Sequence, residues 1–178
     1  MRRMLFAIAM AMIMCLVPVV SQADDTAPKK PAPAIYDTLA NASTQIADAL
    51  TLAKQSNCHV LIQWGANWCG WCRLLHKLLQ DDPEVHAILN QEYIWVLADV
   101  GTKGKNADLL KKYGVDPKKG IPFLTGLNDS GQVIINQESG SLETADKEHP
   151  GHDKIKVIAF LVVNAPWRKS DRYHPGGP

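Results

Sequence analysis

The sequence predicts an α/β fold: a central mixed sheet with flanking helices, finished by a C-terminal antiparallel hairpin and a last helix. Three observations predict it. Two short apolar runs, Val60-Leu61-Ile62-Gln63-Trp64-Gly65 and Tyr93-Ile94-Trp95-Val96-Leu97-Ala98, flank a stretch whose apolar positions fall at helical spacing, as in parallel strands joined by a helical crossover. A third run, beginning at Pro122, is followed by Asn128-Asp129-Ser130-Gly131 and then Val133-Ile134-Ile135, which reads as a hairpin. Helical patterns alternate with these runs, and no internal repeat is present.

With 178 residues, 46% of them hydrophobic, the chain has room for one ordinary domain plus extensions. Met1–Ala23 reads as a secretory signal: Arg2 and Arg3 form a charged start, Leu5 to Val20 is apolar, and Ser21-Gln22-Ala23 offers small residues for cleavage after Ala23. The competing reading is an uncleaved anchor, because the apolar run approaches the length needed to span a bilayer. Residues 24–34 are rich in Pro and charge and predict an extended linker, residues 35–167 the domain, and residues 168–178 a disordered Gly/Pro-rich tail. The net charge of +1 becomes about −1 once Arg2 and Arg3 are removed. Without a basic run or patch, nucleic acid is not an expected partner.

Within the domain, Asn41 or Ser43 can cap a helix that places Ile46, Leu50 and Ala53 on one face and ends near Ser56-Asn57. Cys58 leads into the first strand. After Gly65 comes Trp68-Cys69-Gly70-Trp71-Cys72, and then a helix broken at Asp81-Asp82-Pro83, with Val85, Ile88 and Leu89 continuing the helical pattern. The Tyr93–Ala98 run is too short and too apolar for a typical helix, which predicts a strand buried on both faces. Leu109 to Tyr113 reads as a helix end stopped by Gly114, and Ile155 to Val163 as the last helix. Asn41-Ala42-Ser43 and Asn128-Asp129-Ser130 also match glycosylation acceptors.

The chemistry lies in the two thiols between strand and helix. A sulfur at a helix N-terminus meets unpaired backbone N–H groups and the positive end of the dipole, which favour a thiolate. A free cysteine ionises near ~8.5, and such a setting brings it to about 7 or lower, roughly 2 kcal/mol of preference for the charged form. Cys69 is then the attacking thiol. Cys72, one turn on, is placed to resolve the mixed disulfide and leave a Cys69–Cys72 bridge, or to run the cycle backwards.

After export, three cysteines remain, Cys58, Cys69 and Cys72, an odd number that makes no staple framework, and a Cys69–Cys72 loop is too small to stabilise the fold much. Redox chemistry or metal binding is left. For the second, Cys58, Cys69, Cys72 and His76 would supply a zinc-type ligand set, but the usual second closely spaced pair is missing. Haem attachment does not fit, because Arg73 follows Cys72 where a histidine is needed. Cys58 otherwise reads as a small buried hydrophobe, His76 as either a tuner of Cys72 or a solvated helix residue, and Asp99 as a solvated strand end. Trp68 and Trp71 read as apolar cover for the site, as substrate contacts, or as both.

Trp68-Cys69-Gly70-Trp71-Cys72 after a strand, Lys112-Tyr113-Gly114-Val115 followed by Gly120-Ile121-Pro122, and the Gly-centred hairpin together resemble the thioredoxin superfamily over roughly residues 35 to 166. The likeness is to its secreted or periplasmic thiol:disulfide interchange members. It implies a thioredoxin-like fold, Cys69 and Cys72 as the redox pair, Trp68, Gly70 and Trp71 as support, and a cis Ile121-Pro122 bond that binds the substrate backbone. From the residues alone, Pro122 would be an ordinary trans proline opening a strand. The chain departs from the family pattern at two places. Thioredoxins proper carry a buried aspartate where this chain has Gln63, and the dipeptide between the cysteines is Gly70-Trp71 rather than Gly-Pro.

The expectation is an exported thiol–disulfide oxidoreductase acting on cysteine-containing proteins, with reduction favoured over oxidation or isomerisation. It would need no cofactor or metal, would act as a monomer, and as a reductant would draw electrons from a membrane redox partner. The alternatives of another class are zinc binding and a non-catalytic thioredoxin-like binding module.

Overall fold

The computed structural model describes residues 32–166. The expected signal segment 1–23, the linker up to residue 31 and the tail lie outside the described residues. The compact unit begins at Pro33, two residues ahead of the expected domain start.

Helix α1 spans Ala42–Ser56; the Asn41 side chain caps it by accepting from the Thr44 N–H, and Asn57 ends it in the left-handed conformation at φ 53°. Strand β1 (His59–Gly65) follows, then α2 (Gly70–Asp81) and α3 (Pro83–Glu92). Asp82 separates these two helices. Its carboxylate accepts from the N–H groups of Glu84 and Val85, while Pro83 occupies the first turn of α3, where a missing N–H costs nothing. Strand β2 is Tyr93–Asp99, and α4 (Ala107–Lys112) ends with Gly114 at φ 69°. A 3₁₀ turn, Pro117–Lys119, leads to β3 (Phe123–Leu127) and β4 (Val133–Glu138), and a second, Gly140–Leu142, precedes α5 (Lys154–Val163).

The sheet order is β2-β1-β3-β4, with β1 parallel to β2 and antiparallel to β3, and β3 antiparallel to β4. The predicted mixed sheet and hairpin are therefore present. The hairpin turn is closed by Asn128, whose side chain accepts from the N–H groups of Ser130 and Gln132. One expectation needs correcting: β2 is an edge strand, and Ile94, Trp95 and Leu97 are only half-buried. Both faces of β2 do carry helix contacts, but its open edge leaves part of each of these side chains in solvent.

The two-residue period of β1 sorts its side chains between two cores. Val60, Ile62 and Trp64 pack with Ile46 and Ala53 of α1 and Leu110 of α4. Leu61 packs with Leu75 and Leu79 of α2, Leu89 of α3 and Leu161 of α5. By the same alternation Gln63 and Gly65 fall on the α2 side, toward the start of that helix. Helix α5 is docked to the sheet by the Tyr93 hydroxyl donating to the Leu161 carbonyl at 2.7 Å.

Candidate active site

The chain leaves β1 through Ala66-Asn67-Trp68, a turn closed by the Cys69 N–H donating to the Ala66 carbonyl at 3.1 Å. Cys69 is the N-cap of α2, and its Sγ accepts from the Cys72 N–H at 3.0 Å. This is the helix-start setting the spacing predicts. Cys69 and Cys72 are joined in a disulfide. Of the pair, Cys69 keeps 6% of its surface exposed and Cys72 none. The leading sulfur is thus far less open than the sequence reading expects, yet it is the one through which a partner could enter.

Ile121-Pro122 is a cis peptide bond, as the resemblance implies, and the Ile121 carbonyl oxygen lies 3.6 Å from the Cys69 Sγ. The loop before β3 is therefore brought against the thiols from more than fifty positions along the chain. Trp68 is 72% exposed, with its indole N–H donating to the Gly101 carbonyl at 3.0 Å. Trp71 meets His152 edge-on, with 5.6 Å between ring centres. Gly70 faces open space, so a Cβ there would meet nothing. A cleft of about 830 Å³ runs from Trp68 and Ile121 past Val100, Leu110 and Phe123, with Lys103 and Lys111 among its lining residues.

His76 is half-buried rather than solvated; its ring lies tilted against Trp95 with 5.0 Å between ring centres, and burial lowers its pKa. Asp99 is buried rather than solvated, accepting from Lys105 at 2.6 Å and from the Gly101 N–H at 3.1 Å. Cys58 lies at the far end of β1 from the CxxC, about 20 Å away at strand rise, so the four zinc-type ligands do not converge. Among the described residues no group of three or more His, Cys, Asp or Glu is placed to hold a metal ion.

Three residues escaped the sequence reading. Asn67 Oδ1 accepts from the N–H groups of Ile35 and Tyr36 at 2.8 and 3.0 Å, and its Nδ2 donates back to the Tyr36 carbonyl at 2.8 Å. Arg73 donates from Nε and one terminal nitrogen to the Asn67 carbonyl, and from the other to the Pro33 carbonyl at 2.8 Å. This clamp folds residues 33–36 over the site and buries Tyr36 against the thiols. Apart from the Arg73–Asn67 bonds, which span six positions, the contacts join residues 31 to 40 positions apart, so no local pattern signals them. The nearest available signal was a polar and a cationic residue closely bracketing an otherwise apolar active-site stretch.

Residues 41–128 match the family model described as thioredoxin-like. A solved structure of a disulphide isomerase from Xylella fastidiosa Temecula1 is 29% identical, with a TM-score of 0.63, covering 74% of this chain and 96% of its own. The C-terminal domain of DsbD from Neisseria meningitidis, in its oxidised form, is 23% identical with a TM-score of 0.50 over 70% of this chain and 97% of that one, a likeness of fold. No curated protein matches the sequence. Fold and bonded CxxC pair together support thiol–disulfide oxidoreductase chemistry. By its family-model match over residues 41–128, its sheet topology and its bonded CxxC pair, the chain has a thioredoxin-like fold.

Proposed function

We propose that this protein is an exported thiol–disulfide oxidoreductase that reduces disulfides in protein clients, with Cys69 attacking and Cys72 resolving. The observation that carries the reading is the placement of the bonded pair. Cys69 caps α2 beside the cis Ile121-Pro122 loop and holds what exposure the pair has, while Cys72 is buried one turn on. In the reduced protein, the Cys69 thiolate displaces one client sulfur and joins the other. Cys72 then attacks Cys69, the mixed bond breaks, and the client leaves with both sulfurs reduced. The backbone beside Pro122 is suited to pair with the client chain as an added edge strand, and the adjoining cleft to take an apolar client side chain.

The reducing direction is argued from the donors around Cys69. A strongly oxidising pair needs its thiolate form favoured by its surroundings. Here the Cys69 sulfur receives the Cys72 N–H but also faces the Ile121 carbonyl oxygen, which does not favour an added negative charge. Electrons would come from a membrane redox partner, and the signal-like segment 1–23 supports export. Isomerisation is the second reading, favoured by the 29% identity to a disulphide isomerase. Equilibration of the pair against glutathione separates them: a potential of about −270 mV supports reduction, and one nearer −180 or −120 mV supports isomerisation or oxidation. Trapping tests the roles, since Cys72→Ala should accumulate mixed disulfides with clients and Cys69→Ala should not. Equal trapping by both would sink the assignment.

A further inference from the structure

Resolution obliges Cys72, which is fully buried, to shed its proton and carry negative charge while it attacks Cys69. An unassisted thiolate in such a place is costly. The side chain below it from β1 is Gln63, a neutral amide that cannot hold the proton.

Gln63 Nε2 donates to the Tyr36 hydroxyl oxygen at 2.7 Å and to the Cys72 carbonyl at 3.2 Å. That carbonyl fixes which way the amide is turned. Reversed, the amide oxygen would face the carbonyl oxygen, two acceptors without a hydrogen between them. The Tyr36 oxygen is therefore the acceptor in its bond with Gln63, and its own hydrogen points elsewhere. Gly65 marks the direction. A Cβ built on Gly65 would lie 2.9 Å from the Cys72 Sγ and would collide with the Tyr36 hydroxyl as well. Hydroxyl and sulfur thus converge over the one residue of β1 that leaves them room, within a cluster of Tyr36, Ala66, Cys69 and Cys72.

We propose that Tyr36 donates its hydroxyl hydrogen to the Cys72 sulfur in the reduced protein and steadies the thiolate that resolves the mixed disulfide. Gln63 aims the hydroxyl, and the Asn67–Arg73 clamp holds the segment that carries it. Tyr36 keeps its proton throughout, because burial raises its pKa, an effect to which the Asp99 charge adds and the Gln63 bond is opposed. The charged groups bordering the cluster are engaged elsewhere: Asp99 with Lys105 and the Gly101 N–H, Arg73 with the Asn67 and Pro33 carbonyls. In the resolving step an electron pair of the Cys72 thiolate forms the Cys69–Cys72 bond as the Cys69–client bond breaks. The departing pair stays on the client sulfur, which takes from water a proton equivalent to the one Cys72 released.

The proposal rests on the exchange reading above, and the two fail separately. The test is single-turnover reaction of the reduced full chain with an oxidised peptide disulfide, comparing wild type with Tyr36→Phe. Mixed disulfide should form at the wild-type rate and resolve about tenfold more slowly, the scale of one hydrogen bond to a charged group. The pH profile of resolution should also move upward. Gln63→Met, which loses the aim but keeps the volume, should slow the same step by less, and it serves if Tyr36→Phe does not fold. In a Cys69→Ala background, ultraviolet thiolate absorbance against pH should shift upward with either change, with or without turnover. Unchanged resolution and superimposable absorbance curves would overturn the role of Tyr36, whereas no mixed disulfide in the wild type would overturn the exchange reading alone.

Discussion

Strand β1 carries a thiol environment at each end, and the two ends differ in which backbone groups meet the sulfur. At its start, the Cys58 Sγ lies 3.6 Å from the Ser56 carbonyl and 3.5 Å from the Gln91 carbonyl, two acceptors suited to an S–H. Beyond its end, the Cys69 Sγ receives an N–H from the first turn of α2 and lies 3.6 Å from the Ile121 carbonyl oxygen. Both residues are nearly buried, at 5% and 6% exposure, so burial does not separate them. The helix N–H does: Cys69 shares with Cys58 a carbonyl neighbour but adds a donor that supports a thiolate. The redox role proposed for Cys69 thus follows the direction of the backbone dipoles beside it.

The sharpest way to break the comparison is to remove one sulfur from each end. Cys69→Ala should reduce disulfide exchange to background in an insulin-reduction assay, while Cys58→Ala should leave its rate unchanged. Loss of activity in both would mean that Cys58 takes part in the chemistry.

Acid provides the next test, because the reactive end packs against His152. Burial lowers the pKa of this imidazole from 6.5 to about 4, and its ring nitrogens have no hydrogen-bond partner among the described residues. Above pH 6.5 folded and unfolded chains are both neutral there, and the contribution to stability is full. As pH falls from 6.5 toward 4, the unfolded chain takes up a proton that the folded one refuses. Stability should therefore decline through this window by at most roughly 3 kcal/mol. Melting curves across the window should show a shallower slope in His152→Phe, and an equal slope would remove His152 from the account.

A smaller effect is expected from crowding the reactive end of the strand. Gly65→Ala would drive a methyl group against Tyr36 and Cys72 and should cost about 1–3 kcal/mol by denaturant titration. The quiet end should respond least. Cys58→Ala should cost about 1 kcal/mol, the typical size of a single substitution, and a much larger loss would imply that Cys58 supports the sheet more than its contacts suggest.

Much of the fold was legible because its signals are local. Apolar alternation and spacing, Asn41 as a cap, Pro83 after Asp82, Gly114 as a stop and Gly131 in the hairpin turn each act within a few residues of themselves. The two thiols were legible for the same reason, since a three-residue separation following a strand fixes both at the start of a helix. The residues alone read Pro122 as trans, and only the family likeness implied the cis bond that is present.

The mixed sheet, the CxxC pair at a helix start and the lack of a carboxylate at Gln63 all follow from residue identity and near-neighbour spacing. That residues 33–36 fold over the site, that Tyr36 packs with Cys72, and that His76 meets Trp95 and Asp99 meets Lys105 emerge only from the folded chain. Those arrangements depend on side chains meeting across tens of residues. Which long-range partners meet is set by how the sheet and helices pack, and a linear pattern does not carry that information.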